Sequence, residues 1–244
     1  AGVINVTAGG AVTTSANVTA AGGTLGITGV GITNTNTLTG DANGITLDAG
    51  TGTLTTAAGT IVTSGGNGAI TLIADTAIVT TDSGGATPVD AGTGTVTLRQ
   101  STNAKTIGLA VLSGNIQISE ADLDDITAGT ITIGDSNTGA LTIGGALTND
   151  DALSFVSPAG IALNADVTTL TASDSITFTG PVTLGANATL GTNNGNVVFS
   201  GGTSTVDADS AGNNRTLTIT AGTGTVTLGT AVGAAQALAD LDVT

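Results

Sequence analysis

Apolar and polar residues alternate with a period of two along almost the whole chain. Thr93, Thr95 and Thr97 alternate with Gly94, Val96 and Leu98, the pattern of a strand with one buried face. Val96 and Leu98 are predicted to point inward and the threonines outward. The same unit returns as Ile45-Thr46-Leu47, Ile70-Thr71-Leu72, Ile116-Gln117-Ile118, Ile131-Thr132-Ile133, Leu141-Thr142-Ile143, Ile176-Thr177-Phe178 and Leu217-Thr218-Ile219. Between the units stand residues that tolerate left-handed backbone: Asn34, Asn36, Asp41, Asn43 and Gly44, then Gly65-Gly66-Asn67-Gly68 and Ser83-Gly84-Gly85. Pro88, Pro158 and Pro181 also fall between units, where the loss of an amide donor costs least. Nowhere is a helical i, i+3, i+4 pattern sustained over ten residues; the best stretch for a single helical turn is Ala234 to Leu241.

Strands recurring at this rate predict an all-β fold, and self-similarity favours a solenoid over a sandwich. Ala91 to Leu98 returns unchanged as Ala221 to Leu228, and a looser copy runs from Ala49 to Thr56. The offsets suit two and six coils of about 21 residues. The expected architecture is therefore a single continuous parallel β-solenoid over residues 1–244, with roughly ten to twelve coils stacked at about 4.8 Å. Backbone groups would pair between coils, and Ile, Val and Leu would form inward columns. Residues 1–127 and 128–244 read as degenerate copies of a larger repeat. Ala121-Asp122-Leu123-Asp124-Asp125-Ile126-Thr127 runs into Ala128-Gly129, and Ala239-Asp240-Leu241-Asp242-Val243-Thr244 would meet a following Ala1-Gly2 in the same way.

Composition supports a thin interior. Hydrophobic residues make up 39% of the chain but aromatics only 1%, namely three Phe, and 39 of the 244 residues are Gly. An ordinary thick core would use far more aromatic area. Eighteen acidic residues against three basic ones give a formal charge of −15. That excludes nucleic acid and anionic membranes as partners, since both require clustered Lys and Arg. The absence of Cys rules out disulfides and thiolate metal sites. No run reaches the roughly 20 apolar residues of a membrane helix, and the short strands and scarce aromatics argue against a membrane barrel, so no membrane insertion is expected. The first thirty residues lack the basic and apolar regions of a signal peptide, so the chain reads as mature or as a fragment.

Candidate chemistry is sparse. The one dense acidic group is Glu120, Asp122, Asp124 and Asp125; the chain contains no His, and its only basic residues are Arg99, Lys105 and Arg215. A carboxylate cluster without a base near neutral pH is a poor catalyst. The expectation is that the chain is no enzyme and holds no catalytic, cofactor-binding or metal-binding residues. Calcium is the one cofactor with any signal. Asp207-Ala208-Asp209-Ser210-Ala211-Gly212 begins like a calcium loop but lacks the third oxygen ligand and the distal Glu, so solvated turn carboxylates are the preferred reading. Outward Thr-x-Thr units raise ice binding, against which stands their scattered placement. A loop such as Arg99 to Thr106 could hold a glycan. Sequons occur at Asn5, Asn17, Asn187 and Asn214.

Ala221-Gly222-Thr223-Gly224-Thr225-Val226-Thr227-Leu228 and Gly180-Pro181-Val182-Thr183-Leu184-Gly185-Ala186-Asn187-Ala188-Thr189-Leu190 resemble the repeats of filamentous-haemagglutinin-like bacterial surface proteins. The resemblance covers nearly the whole chain. It implies a right-handed parallel β-helix exported to the cell surface, although the chain lacks the secretion domain, with its Asn-Pro motif, of the two-partner members. The expected function is that of a structural module in a secreted, extracellular cell-surface filament or adhesin, a stiff solenoid that continues or stacks end to end. Its expected partners are identical or similar solenoid segments, together with host or matrix glycans. The alternative is a glycan-binding or ice-binding module presented on a β-helix.

Overall fold

The structure is a computed structural model that describes residues 2–56, 60–63, 67–80, 88–201, 205–210, 212–229 and 231–244. It is an all-β, parallel β-solenoid of about ten coils. The predicted turn at Ser83 to Gly85 and the first half of the turn at Gly65 to Gly68 lie outside the described residues. The chain divides into two compact units, the first comprising residues 1–103 and 115–132, the second residues 104–114 and 133–244.

Among the described residues of the first unit the strands stack on three faces, five on the first, four on the second and five on the third. The longest face stacks Ile4–Thr7, Leu25–Thr28, Ile45–Asp48, Ile70–Ile73 and Thr95–Arg99 in parallel. Ile4, Leu25, Ile45, Ile70 and Val96 are in register, so successive coils advance 21, 20, 25 and 26 residues. Val12–Thr14, Ile32–Asn34, Leu54–Thr55 and Ile78–Val79 form the second face. The third holds Val18–Thr19, Leu38–Gly40, Ile61–Thr63, Val89–Asp90 and Ile126–Thr127.

The second unit repeats the plan. One face stacks Ala152–Val156, Ile176–Thr179, Val197–Ser200 and Val226–Leu228. Another runs from Ile107–Leu109 through Leu141–Ile143, Ile161–Leu163, Val182–Leu184 and Thr205–Ala208 to Ala231–Val232. The third joins Leu147–Asn149, Val167–Ala172, Ala188–Asn193, Thr216–Thr220 and Asp240–Val243.

The alternation places side chains as expected. Val96, Leu98, Ile131 and Ile133 are buried, while Thr95 is exposed and Thr97 and Thr132 are half-buried. All three phenylalanines occupy one inward column, Phe155 over Phe178 over Phe199, with ring centroids 5.2 and 5.1 Å apart and planes within 23° and 10°. The strand spacing of about 4.8 Å brings identical aromatic residues into stacking range without any rotation of the chain.

Two expectations are corrected. The three Ala-Gly-Thr-Gly segments do form the same turn: Gly50, Gly92 and Gly222 have φ of 55°, 58° and 59°, and Gly52, Gly94 and Gly224 each donate an N–H to the carbonyl of Ala49, Ala91 and Ala221. However, the turn at Ala49 leaves the long face for the second, whereas the turn at Ala91 leaves the third face for the long one. Their offset is therefore not two whole coils. The second correction concerns helix. Ala234 to Leu241 forms no helical turn; its end belongs to the strand Asp240–Val243. The single helix among the described residues, α1, is Glu120–Asp124.

Candidate functional site

The acidic group singled out from the sequence lines a hollow of about 370 Å³, formed by Val79 and Thr80 on one side and Ser119, Ala121, Asp122, Asp124 and Asp125 on the other. Its wall is α1. Ser119 is the N-cap: its Oγ accepts the Asp122 N–H at 3.1 Å, and Asp122 Oδ2 accepts the Ser119 N–H at 2.9 Å. This is a capping box with Asp in the position more often held by Glu or Gln. Asp122 Oδ1 accepts the backbone N–H of Thr80 at 2.8 Å, and Thr80 Oγ1 donates to the Asp122 carbonyl at 2.5 Å. The most buried carboxylate of the group thus clamps the helix to a neighbouring coil. Asp124 is exposed, and Glu120 and Asp125 are half-buried.

The calcium-like loop is used differently. Asp207 is buried, and its Oδ1 accepts the N–H groups of Ala235 and Gln236 at 2.9 and 3.2 Å. Burial pushes this carboxyl upward, but hydrogen bonds from the Thr205 side chain and the Ala235, Gln236 and Ala234 amides outweigh it and hold the pKa below its ordinary value. Asp209 takes a bidentate pair from Arg215, Nε to Oδ1 at 2.9 Å and Nη2 to Oδ2 at 2.8 Å, with Asn213 Nδ2 on Oδ2 at 2.9 Å. The hydrogen bonds from Arg215 and then Asn213 set its carboxyl well below the usual carboxylate range. The two carboxylates therefore face different partners and do not converge. No group of three or more carboxylates able to hold a metal ion occurs among the described residues.

In the Arg99 to Thr106 stretch, the first unit's part is ordered by Asp75, whose Oδ1 accepts the N–H groups of Ser101 and Thr102, both at 2.9 Å. Arg99 Nη1 donates to the Gln100 carbonyl at 3.0 Å. In the second unit, Ala104 N–H donates to Asn137 O and Lys105 O accepts from Gly139. Outward threonines do stack, as in Thr46–Thr71–Thr97 and Thr13–Thr33–Thr55. In the second unit the ladders are broken, Ser154–Thr177–Val198–Thr227 by Val and Thr142–Ala162–Thr183–Asp207 by Ala and Asp. A flat hydroxyl lattice of the kind an ice or glycan plane would need is thereby interrupted.

From the residues alone, asparagine is expected to ladder at the corners; in the structure its corner bonds go to backbone of the adjacent coil. Asn17, Asn187 and Asn196, and Asp166 likewise, stand one residue before an inward strand residue. Each side-chain Oδ1 accepts the N–H of the equivalent residue one coil on: Thr37 at 3.1 Å, Thr216 at 3.1 Å, Thr225 at 2.8 Å and Thr189 at 2.7 Å. The carboxamide continues the inter-coil ladder around a corner where the backbone turns away. All four sequon asparagines are exposed. Comparison with known proteins finds no matching family model, and neither a curated protein nor a solved structure with significant similarity.

Proposed function

We infer that the chain is a structural module of a secreted cell-surface filament or adhesin, whose coils continue or stack end to end with similar coils. The observation that carries this reading is the employment of its polar side chains. The carboxylates and carboxamides that would build a binding or reaction centre instead hold corners, caps and neighbouring coils, as Asp122, Asp207, Asp75, Asn17 and Asn187 do. A molecule that directs its polar side chains to its own backbone is built to persist as a scaffold. The bacterial surface proteins whose repeats the sequence resembles suggest the setting. Electron microscopy of native surface material carrying the chain should reveal continuous fibres. Isolated particles, together with saturable binding on a glycan array, would replace this reading with that of a binding module.

A further inference from the structure

The chain contains three Asn-Gly pairs, Asn43-Gly44, Asn67-Gly68 and Asn194-Gly195. Two of them face the same corner on the following coil. The carbonyls of Gly68 and Gly195 press on Gly94 and Gly224, where a Cβ would meet them at 2.5 and 2.0 Å, and those glycines occupy the same place in the identical segments Ala91 to Leu98 and Ala221 to Leu228. In the second unit this corner takes hold of the asparagine side chain. Thr223 donates both its N–H, at 3.0 Å, and its Oγ1, at 3.1 Å, to Asn194 Oδ1, while Asn194 Nδ2 donates to Asn193 Oδ1 at 3.2 Å. Gly222, at φ of 59°, makes room for this, since a Cβ there would lie 2.6 Å from Asn194 Oδ1.

The neighbour of Asn194 is equally constrained. A Cβ on Gly195 would lie 1.8 Å from the Asp174 carbonyl oxygen, so only glycine fits. Gly195 is buried, and among the described residues its N–H has no acceptor, a rare state for a buried amide that calls for an explanation. We propose that Asn194 modifies itself: the Gly195 nitrogen closes onto the Asn194 side chain to give a succinimide, and the Thr223 corner is the oxyanion hole of that reaction.

The Gly195 N–H yields its proton to hydroxide, and its nitrogen attacks Asn194 Cγ in a five-membered closure between covalent neighbours. Charge collects on Oδ1, where Thr223 already places two donors. Collapse breaks the Cγ–Nδ2 bond, and the nitrogen leaves as ammonia after taking a proton from water. Water then opens the ring, reaching it because Asn194 is exposed. Attack at Cγ breaks its bond to the Gly195 nitrogen and leaves aspartate; attack at the Asn194 backbone carbonyl breaks the peptide bond there and leaves isoaspartate, with a methylene added to the main chain. Either product places a new negative charge at the corner. The other two pairs set the scale. Asn67 Oδ1 accepts from the matching threonine, Thr93 Oγ1. At Asn43 the nucleophile is tied up, because the Gly44 N–H donates to Asp41 O at 3.0 Å and Asn43 Nδ2 donates to Asp41 Oδ1 at 2.8 Å.

Peptide mapping by mass spectrometry tests this, on the 244-residue chain held folded at mildly alkaline pH and sampled over weeks. Asn194 should change from amide to acid about tenfold or more faster than Asn43, and faster than in the same chain unfolded in urea, which keeps the Asn-Gly pair but loses the corner. Thr223→Val, which removes the hydroxyl donor and keeps the N–H, should slow conversion at Asn194 about tenfold and leave Asn67 and Asn43 unchanged, whereas Thr223→Ser should keep the wild-type rate; circular dichroism verifies that each variant is folded. Conversion of Asn194 no faster in the folded wild type than in urea would overturn the proposal without recourse to any variant. A Thr223→Val rate equal to wild type would overturn it too, as would conversion led by Asn43.

Discussion

One inward column in each unit solves the same packing problem with opposite chemistry. In the first, one inward position is polar on four coils: Thr14, Asn34, Thr56 and Thr80 are 8%, 0%, 0% and 1% exposed. In the second, an inward position is aromatic on three successive coils, Phe155, Phe178 and Phe199. Because coils stack in register, any inward residue meets its own kind, so a column multiplies whatever chemistry it is given. For phenylalanine this yields stacked rings and a dry interior. For threonine and asparagine every level needs its own hydrogen bonds. Thr14 Oγ1 donates to Asn34 Oδ1 at 2.6 Å and Thr80 reaches Asp122, but Thr56 Oγ1 is buried without a hydrogen-bond partner among the described residues. The aromatic column is stabilising at each level; the polar one is stabilising only where its partners are complete.

Substitutions can break this contrast or sharpen it. The largest effect is expected at Val96→Asp, which would bury a charge in a column without a basic partner and cost about 3–5 kcal/mol or more. Thr95→Asp, one residue away and facing out, should cost at most about 0.5 kcal/mol. Equal chemical-denaturation midpoints for the two would refute the facing assignment. Next comes Phe178→Ala, which removes the middle ring and should destabilise by about 3–5 kcal/mol; hydrogen exchange should register the loss in the second unit. Thr56→Val replaces the unpartnered hydroxyl by a methyl of similar shape. It should be neutral or stabilising by up to about 1 kcal/mol, and a loss of stability would mean that the polar column is complete after all.

The smallest effect concerns Asp174, whose pKa is raised by burial and then by the charge of Asp150. For a carboxyl whose folded pKa exceeds its unfolded value, ionisation opposes folding. The penalty is absent below the unfolded pKa of about 3.9 and fully present above the folded one. Asp174→Asn should therefore raise the melting temperature at pH 7 by about 1–2 °C, allowing for its partial exposure, and give no gain near pH 3. A gain that persisted at pH 3 would show that the side chain acts through packing instead.

Much of this was legible in the residues. A period of two settles which side chains go in, since strand geometry leaves only two faces, and Val96, Leu98 and Ile131 obey it. The acidic group at Glu120 to Asp125 was legible as a group but not as a clamp, because its partner Thr80 lies 42 residues away from Asp122 in the chain. The helix itself had a local signal, Ser119 followed by Asp122, which a search for helical periodicity over ten residues overlooks in an element of five.

What the sequence determined by itself is local: the alternation, the turn made by Ala-Gly-Thr-Gly, and the small aliphatic interior that follows from having three aromatics. Tertiary structure decided where each of those pieces stands. One turn sequence serves two different corners, because its geometry depends only on its own glycines, while the corner depends on which strands pair before and after it. Ala-Asp-Leu-Asp makes the point most sharply. At Ala121 to Asp124 it is helical, capped by Ser119 and held by Thr80. Within Ala239 to Asp242 the strand Asp240–Val243 begins, with Leu241 and Val243 in register with Leu217 and Ile219. Four residues are too few to choose between one helical turn and one strand, so the choice falls to whichever neighbour satisfies their backbone: a capping hydroxyl in the first case, an open strand edge in the second.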